Sequence, residues 1–472
     1  MEDAGSPTCF CPSCETEIDY PIDWQGTVIE CPACSESVLL PESGETSPDH
    51  ITFGSLAEEV QSLDLAPLPR SSSFFYKLAL LFGALMMFLL ILVYVSVIAG
   101  TSYGVWLFAD HFRFLFKLSG GIYGMIIKMA FYFGVILAGA VVVIFMIKPF
   151  FLRRGERQQP LSLNPASEPL LYRFISEISE CVGAPEPSRI DLTCEANAAA
   201  SFRRGFFSFL GSDLVLTIGL PLVAGLSAKE LAGVLAHEFG HFNQGVAMRL
   251  SYIIRSINLW FTEIVYYRDA WDEWLGDSYE ESENLFTTIV FGISLLALGL
   301  SRLIIKLFMF LGHAVSCALL RQMEYNADVS EIRLAGSESF ETTGFKLSLM
   351  DIVTGNAYRD MHARWLSRNE LPDSIPEIID HYTAGVPEAL QCEIKDALFL
   401  EPGGWFETHP SFAQRVKRAR RLDEPGMIDL NWPARDLFEN FPVVSKQASR
   451  IHYREDLGVP LAQVRFYSPD RE

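Results

Sequence analysis

Two histidines one helical turn apart are the residues of this chain best placed to do chemistry. They occur in the segment His237-Glu238-Phe-Gly-His241, which on a helix would project both imidazoles from the same side. Imidazoles at this spacing suit two ligands of a tetrahedral zinc ion. Glu238 is placed to reach a zinc-bound water and act as its general base. A helix that merely carries two surface histidines is the alternative, and chance would give this motif in about one such sequence in a hundred.

The residues before the motif predict the helix that it needs. Ser227 and Glu230 have the spacing of a capping box, which marks the start of a helix. Apolar residues then recur at helical spacing, at Leu231, Val234, Leu235 and Phe239. This pattern gives the helix one apolar face.

A catalytic zinc ion needs a third protein ligand and an open fourth position. The segment Arg321-Gln-Met-Glu-Tyr-Asn-Ala-Asp328 offers Glu324 and Asp328, four residues apart on a predicted helix. Glu324 is expected to bind the ion, and Asp328 to accept a hydrogen bond from the second ring nitrogen of a ligand histidine. Taken alone this pair is a weak signal, because acidic side chains on a helix are usually solvated.

The N-terminal segment contains two Cys-x-x-Cys pairs that predict a second zinc site, at Cys11, Cys14, Cys31 and Cys34. Four thiolates at this spacing can close a tetrahedral site, and a segment of about 40 residues has too small a core to fold without such a link. With no open position, this zinc ion would be structural. Two disulfides or free thiols are the alternatives, and Cys9 could replace Cys11 as a ligand.

Apolar residues are concentrated in long runs, which indicates a membrane protein. The chain has 472 residues, of which 50% are hydrophobic and 20% charged, and its mean hydropathy is +0.21. The runs 78–100 and 129–147 contain no charged residue. Because about 20 such residues cross a hydrocarbon core, these runs predict a hairpin of two transmembrane helices.

The distribution of charge predicts an orientation and excludes one class of partner. Basic residues flank the hairpin, at Arg70, Lys77, Lys148, Arg153, Arg154 and Arg157. Since basic flanks stay on the cytoplasmic side, we expect a multi-pass membrane protein whose N-terminus and active site face the cytoplasm. The 58 acidic and 37 basic residues give a net charge of −21, which argues against nucleic acid as a partner.

Residues 250–320 leave the number of membrane crossings open. Two apolar stretches, 250–267 and 286–320, are interrupted by charges and flank an acidic segment. They fit a second membrane hairpin with an acidic outer loop, or two amphipathic helices on the protein surface. Because His241 and Glu324 must meet at one ion, the chain between them crosses the membrane twice or not at all. Two crossings, with the acidic loop outside, are the favoured interpretation.

Together these motifs resemble the HtpX and CAAX prenyl protease family of membrane zinc endopeptidases, in which HExxH on one helix is followed by ExxxD on a later one. The resemblance covers about residues 75–420. It implies that the segment containing Asn197 and Ala198 is an edge strand that holds an extended substrate. It also implies that His409, in a Thr-His-Pro motif, faces the transition-state oxyanion. Ala199 stands where the family has an aromatic residue, so the adjoining pocket is expected to differ.

Two neighbouring segments carry local predictions. The alternating, β-branched segment Arg189–Thr193 predicts a strand, and an edge strand could pair with an extended peptide along residues 189–200. Ser411, after His409 and Pro410, is expected to cap the helix that follows it.

The expected fold is α+β and helix-rich, with membrane-embedded helices and a zincin-like catalytic domain that carries a small β-sheet. The expected domains are a zinc ribbon at 1–41, a flexible linker at 42–73, a transmembrane hairpin at 74–148, a zinc metallopeptidase domain at 149–424 with the possible second hairpin at about 250–320, and a C-terminal extension at 425–472.

The sequence thus predicts a membrane-bound zinc-dependent endopeptidase, and the family resemblance implies a role in membrane-protein quality control. The expected partners are peptide or membrane-protein substrates and the lipid bilayer, and the expected cofactors are one catalytic and one structural zinc ion. No partner is predicted for the ribbon. Two alternatives stay open: a non-catalytic zinc-binding membrane scaffold, and a narrow processing protease for lipidated peptides.

Overall fold

A computed structural model describes residues 53–69, 74–117, 121–150, 160–202, 213–243, 246–266, 270–282, 284–404 and 407–468, together with residue 32 and four short strands before residue 40. The chain divides into two compact units, Met1–Ser62 and Leu63–Glu472. The fold is α+β and helix-rich, as the sequence predicts.

Short strands and long helices alternate along the described chain. The strands are β1 Thr8–Phe10, β2 Glu17–Asp19, β3 Val28–Glu30, β4 Ser37–Leu39, β5 Leu161–Ser162, β6 Arg189–Thr193, β7 Ala198–Phe202, β8 Leu214–Gly219, β9 Glu370–Pro372 and β10 Arg465–Tyr467. The helices are α1 Phe53–Gln61, α2 Phe74–His111, α3 Ile122–Ile147, α4 Pro169–Val182, α5 Leu220–Gly225, α6 Ala228–Phe242, α7 Val246–Tyr266, α8 Ala270–Glu280, α9 Leu285–Ala335, α10 Ser337–Arg368, α11 Ile375–Ala384, α12 Glu388–Leu400, α13 Phe412–Leu422 and α14 Phe441–Glu455.

The first unit contains two antiparallel hairpins, β1–β2 and β3–β4, and helix α1. Cys11 and Cys14 follow β1 in the chain, and Cys31 and Cys34 follow β3, but all four cysteines lie outside the described residues. The zinc ribbon therefore stays a prediction. Helix α1 lies within the segment predicted to be a flexible linker, which thus contains regular structure.

Three helical segments within the described residues are long and apolar enough to cross a membrane: Phe74–Lys117, Ile122–Ile147 and Thr287–Ala335. The first two contain the predicted hairpin. Tyr94 on α2 donates a hydrogen bond to the carbonyl of Met146 on α3, and Tyr132 on α3 donates to the carbonyl of Ala109 on α2. Because the pairing partners run in opposite order along the chain, α2 and α3 are antiparallel.

Helix α7 joins this bundle, although it is not among the three candidate spans. The side chain of Asn258 on α7 donates to the hydroxyl of Ser316 on α9 at 2.6 Å. The Tyr94 ring packs against Phe308 of α9. Ile254 and Phe261 of α7 are buried in the same apolar cluster. The bundle therefore fixes α7, which follows the segment of His237 and His241, and α9, which contains Glu324 and Asp328.

One part of the predicted topology is wrong. The sequence analysis placed Lys148 on the cytoplasmic side and the acidic segment around Asp272 on the outside. In the structure, the carboxylate of Asp272 on α8 accepts hydrogen bonds from Lys148 at 2.8 Å and from Arg302 at 2.6 Å. Two side chains in direct contact cannot lie on opposite faces of a bilayer. A buried charge is stabilised by an oppositely charged partner. The pattern of apolar runs in the sequence does not reveal which charges form such a pair.

The catalytic part of the chain contains a four-stranded sheet of order β5-β6-β8-β7. Strand β6 is parallel to β8 and antiparallel to β5, whereas β7 is antiparallel to β8. The predicted strand Arg189–Thr193 is present as β6, but it lies inside the sheet and cannot be the edge strand. The edge is formed by β7, which begins after a turn whose Asn197 carbonyl accepts a hydrogen bond from the Gly219 N–H.

Helix α6 begins with the predicted capping box. The Ser227 hydroxyl accepts a hydrogen bond from the Glu230 N–H, and the Glu230 carboxylate accepts one from the Ser227 N–H. Glu230 also pairs with Lys346 of α10 at 2.8 Å. These contacts fix the start of the helix and hence the rotation of the side chains further along it.

The segment after residue 425 packs against the start of α6. The N–H groups of Ala228 and Lys229, in the first turn of α6, donate to the carbonyls of Trp432 and Leu430. Strand β10 is parallel to β9, and α14 packs against α11. The predicted C-terminal extension thus helps to satisfy the free N–H groups at the start of α6.

Candidate metal centre

Helices α6 and α9 pack along each other and bring three of the predicted metal ligands together. On α6, the ring centroids of His237 and His241 are 5.0 Å apart. Glu324 comes from α9, and its carboxylate lies 3.5 Å from Nε2 of His237 and 3.9 Å from Nε2 of His241. One ligand atom from each residue lies within 4.8 Å of the other two. This arrangement can hold a single cation.

The donor set fits a zinc ion. Zinc binds ring nitrogen and carboxylate oxygen at about 2.0–2.2 Å, so that two corners of its tetrahedron are roughly 3.3–3.6 Å apart. The measured separations of 3.5 and 3.9 Å are close to this edge. Two imidazoles and one carboxylate are also the three protein ligands typical of a catalytic zinc site.

Two further carboxylates of α9 face the other ring nitrogen of His237. Nδ1 lies 3.2 Å from Oδ1 of Asp328 and 3.5 Å from Oε2 of Glu331. Asp328 is itself held by Arg415 of α13, whose Nη2 and Nε donate to Oδ1 at 2.6 and 3.1 Å. A carboxylate at Nδ1 orients the ring and leaves Nε2 for a metal ion.

The two histidines have opposite electrostatic surroundings. Burial by itself lowers the pKa of His237, but the contacts with Asp328 and Glu324 outweigh burial and raise the pKa well above its usual value. Burial lowers the pKa of His241 to about 3, because no carboxylate contacts its buried Nδ1 within the described chain. A cation at Nε2 would replace the proton that the carboxylates otherwise hold on His237.

Glu238 points to the edge of the sheet. Its Oε2 accepts a hydrogen bond from the Ala200 N–H of β7 at 3.3 Å. Burial raises the pKa of the Glu238 carboxyl, and the neighbouring His237 opposes this rise. A carboxyl whose pKa is raised exchanges protons more readily near neutral pH, which is what general acid–base catalysis requires.

A cavity of about 930 Å³ connects these groups with the free edge of β7. Because alternate residues of a strand direct their N–H and C=O groups to the same edge, Ala198 and Ala200 share the edge that faces the cavity. No strand among the described residues pairs with this edge. Helix α7 also lines the cavity, through residues such as Tyr252 and Leu259. The space is large enough for several residues of an extended peptide.

The remaining predicted site residues lie around this cavity. Asn197 and Ala198 line it next to the turn that leads into β7, with Asn197 exposed and Ala198 buried. His409 lies at the rim, largely exposed, with Nδ1 3.3 Å from Oε2 of Glu324. Ser411 is the N-cap residue of α13, but its side chain makes no capping hydrogen bond. The prediction that Ser411 caps this helix through its hydroxyl is therefore wrong.

Sequence reasoning missed three residues of the cavity wall, which are Glu331, Arg415 and Arg255. Glu331 follows Asp328 by three residues, so helical spacing could have indicated that it shares the same face. Arg415 and Arg255 lie on α13 and α7, and no spacing rule relates either helix to the HExxH motif. These two arginines depended on tertiary structure.

Comparison with known proteins gives the class to which this arrangement belongs, a metallopeptidase. Residues 165–423 match the model of peptidase family M48. Because the match covers more than half of the chain, the chain belongs to peptidase family M48, and the predicted resemblance is confirmed.

The similar curated proteins are proteases of the same kind. Protease HtpX of Acinetobacter baumannii is 24% identical over 309 residues, which cover 64% of this chain and 87% of that protein. Protease HtpX of Acinetobacter baylyi is 23% identical over 315 residues, with the same coverages. With the three apolar helices, these relatives identify a membrane protein and a metalloprotease, as the sequence predicted.

Proposed function

We propose that this protein is a zinc-dependent endopeptidase that cleaves membrane proteins in quality control, with His237, His241 and Glu324 as the ligands of its catalytic zinc. The observation that carries the proposal is the convergence of two Nε2 atoms and one carboxylate beside Glu238, at the free edge of a strand. A structural zinc ion in the N-terminal cysteine segment belongs to the same proposal, on the basis of the Cys-x-x-Cys spacing alone.

The substrate would bind as an additional strand. An extended peptide can pair with the free edge of β7 through the backbone groups of Ala198 and Ala200, while its side chains alternate between cavity and solvent. This pairing would hold the scissile bond next to Glu238, whose carboxylate contacts the Ala200 N–H. The open cavity then accepts residues on both sides of the bond.

The chain supplies acid–base catalysis and positioning. A bound zinc ion would polarise the scissile carbonyl and lower the pKa of a water molecule towards ~7. Glu238 would take the proton of the attacking water and later deliver it to the leaving amine. Asp328, held by Arg415, would keep the His237 ring oriented. His409 at the rim would donate a hydrogen bond to the oxygen on which negative charge develops.

The orientation in the membrane is also part of the proposal. Basic residues before α2 and after α3 favour a multi-pass protein with the catalytic unit and the N-terminus in the cytoplasm. Because the acidic helix α8 contacts the end of α3 through Asp272 and Lys148, both would lie on the same face or at the same depth.

The test compares three variants of the full-length protein. Glu238→Gln should lower proteolysis of an unfolded membrane protein by roughly 10²–10⁴-fold and leave the zinc content at two ions per chain. His237→Ala should lower activity equally and reduce the zinc content to one. Replacing Cys31 and Cys34 by serine should remove the other ion. Full activity of the Glu238→Gln protein, or of wild-type protein freed of metal by a chelator, would refute the assignment.

The choice of substrate separates the proposed role from its rivals. Casein, an unfolded membrane protein and a prenylated peptide are offered to the same preparation. We expect cleavage of the unfolded membrane protein in preference to the prenylated peptide. Cleavage of the prenylated peptide alone would indicate a narrow processing enzyme, and zinc binding without any cleavage would indicate a scaffold.

A further inference from the structure

Helix α7 presents a row of side chains to the cavity. Met248, Tyr252, Arg255 and Leu259 recur at helical spacing and line the same cavity as β7. The other face of α7 is buried in the membrane bundle, through residues such as Ile254, Ile257 and Phe261. Since that face is fixed by packing, the row that faces the cavity is fixed as well.

The cavity contains two arginines in opposite situations. The guanidinium of Arg415 donates two hydrogen bonds, from Nε and Nη2, to the carboxylate of Asp328. Arg255 is exposed, and it makes no hydrogen bond or ion pair with any residue in the part of the chain that the structure describes. A guanidinium in a concave site without an internal carboxylate is available to a bound molecule.

Arg255 and Glu238 line the same cavity, Arg255 from α7 and Glu238 from α6. Ala198 and Ala200 of β7 line this cavity as well. A peptide bound along β7 beside Glu238 would therefore lie in the same cavity as the guanidinium of Arg255.

We propose that Arg255 binds a carboxylate of the substrate close to the scissile bond and so makes the enzyme prefer acidic peptides. This inference rests on the proposed endopeptidase function. The guanidinium offers paired N–H donors that match the two oxygens of a carboxylate, a geometry that lysine or a neutral side chain cannot reproduce. The carboxylate comes either from an Asp or Glu side chain near the cleavage site or from the free C-terminus of a short peptide.

The test uses quenched fluorescent peptides and the full-length protein in detergent. The two peptides of a pair differ at one position, which carries either Glu or Gln. From pair to pair, this position moves from the third residue before the scissile bond to the third residue after it. A second pair ends in a carboxylate or in an amide. For one of these pairs, the acidic peptide should be cleaved with about tenfold higher kcat/KM, since hydrogen bonds to charged groups contribute that much. The pair that responds identifies the source of the carboxylate.

Three variants then assign the preference to one side chain. Arg255→Gln should make the kcat/KM values of the acidic and the Gln peptide equal by lowering that of the acidic peptide, Arg255→Lys should retain part of the preference, and Arg255→Glu should favour a Lys peptide instead. Arg249→Gln is the matched control, because Arg249 is exposed on the same helix and lies outside the cavity. Its preference should equal that of the wild type.

A binding measurement provides a readout that does not depend on turnover. The acidic peptide should bind the Glu238→Gln protein about tenfold more tightly than its Gln counterpart, and adding Arg255→Gln should remove this difference. An equal loss of cleavage for acidic and neutral peptides in Arg255→Gln would overturn the inference, because it would indicate a general catalytic role. Absence of any cleavage by wild-type protein would instead refute the proposed function itself.

Discussion

Helix α9 has two parts that differ in which kinds of side chain are exposed and which are buried. In residues 285–311 most exposed residues are apolar, with Lys306 as a charged exception, and Leu296 is 76% exposed while Ser301 is buried. In residues 320–335 the buried residues include charged ones, and Asp328 is 1% exposed. The helix is continuous through both parts, so the difference does not arise from the backbone.

The difference follows from what surrounds each part. Exposed leucines carry little cost where lipid replaces water, because hydrocarbon solvates them as well as a protein core does. Buried carboxylates are stable only where partners compensate for lost hydration, and Arg415 and His237 provide these partners in the second part. One helix thus links a lipid-facing surface with a polar site, and substitutions in its two parts should have different consequences.

The largest effect is expected where a buried charge loses its partner. Asp328→Asn removes a buried carboxylate and leaves the partly buried guanidinium of Arg415 without it, which should lower the free energy of unfolding by about 3–5 kcal/mol. Chemical denaturation of the metal-free protein in detergent measures this loss. Asp429→Asn is the control, because Asp429 is exposed and its contact with Lys229 is 3.6 Å long, so that less than about 1 kcal/mol should be lost.

A double substitution sharpens this prediction. Asp328→Asn combined with Arg415→Met removes both charges, and it should recover most of the lost stability because no buried charge remains unpaired. If the single variant is as stable as the wild type, the Asp328–Arg415 pair does not stabilise this end of α9.

A somewhat smaller effect is expected on the apolar part of α9. Leu296→Lys should reduce insertion into membranes by about 2–3 kcal/mol, because the lysine would lie in hydrocarbon. The fraction of protein that resists alkaline extraction from membranes measures this change. Leu366→Lys on α10, at a site 72% exposed, should have no effect. Equal behaviour of the two variants would mean that Leu296 faces water.

The smallest effect is expected at the second carboxylate beside His237. Glu331→Gln should weaken zinc binding about tenfold, since groups that orient a ligand histidine contribute that much to affinity. Competition with a chromophoric chelator measures the dissociation constant. Glu338→Gln, an exposed change on the next helix, should leave it unaltered. An unchanged constant in Glu331→Gln would assign the orientation of His237 to Asp328 alone.

The fold elements were predictable to the extent that local rules decide them. The capping box at Ser227 and the apolar runs of α2 and α3 gave the helices, because helix starts and lipid-spanning lengths are encoded in short windows. The edge strand is not predictable from local rules in the same way. Residues 189–193 and 198–202 both suit a strand. Only the family resemblance implies that the segment with Asn197 and Ala198 is the edge strand, and the order of strands in the sheet agrees.

The residues of the candidate site likewise fall into those that local sequence rules predict and those that they do not. His237, Glu238 and His241 share one helix turn, and Glu324 and Asp328 share another, so their relative positions follow from helical spacing. The cysteine ligands of the ribbon stay a prediction, because those residues lie outside the described chain. The contact of Lys148 with Asp272 could not be predicted, since it joins helices that are far apart in the chain.

The sequence by itself determined the chemistry of this protein: a helix with two imidazoles, a later helix with two carboxylates, and apolar runs long enough for a bilayer. Periodicity fixes these features because they depend on residues within a few turns of one helix. Only the tertiary structure decided that α13 supplies the partner of Asp328, that β6 lies inside the sheet, and that α7 directs Arg255 into the cavity. Those features depend on how distant segments pack, and packing energies are shared among many contacts that no short window of sequence contains.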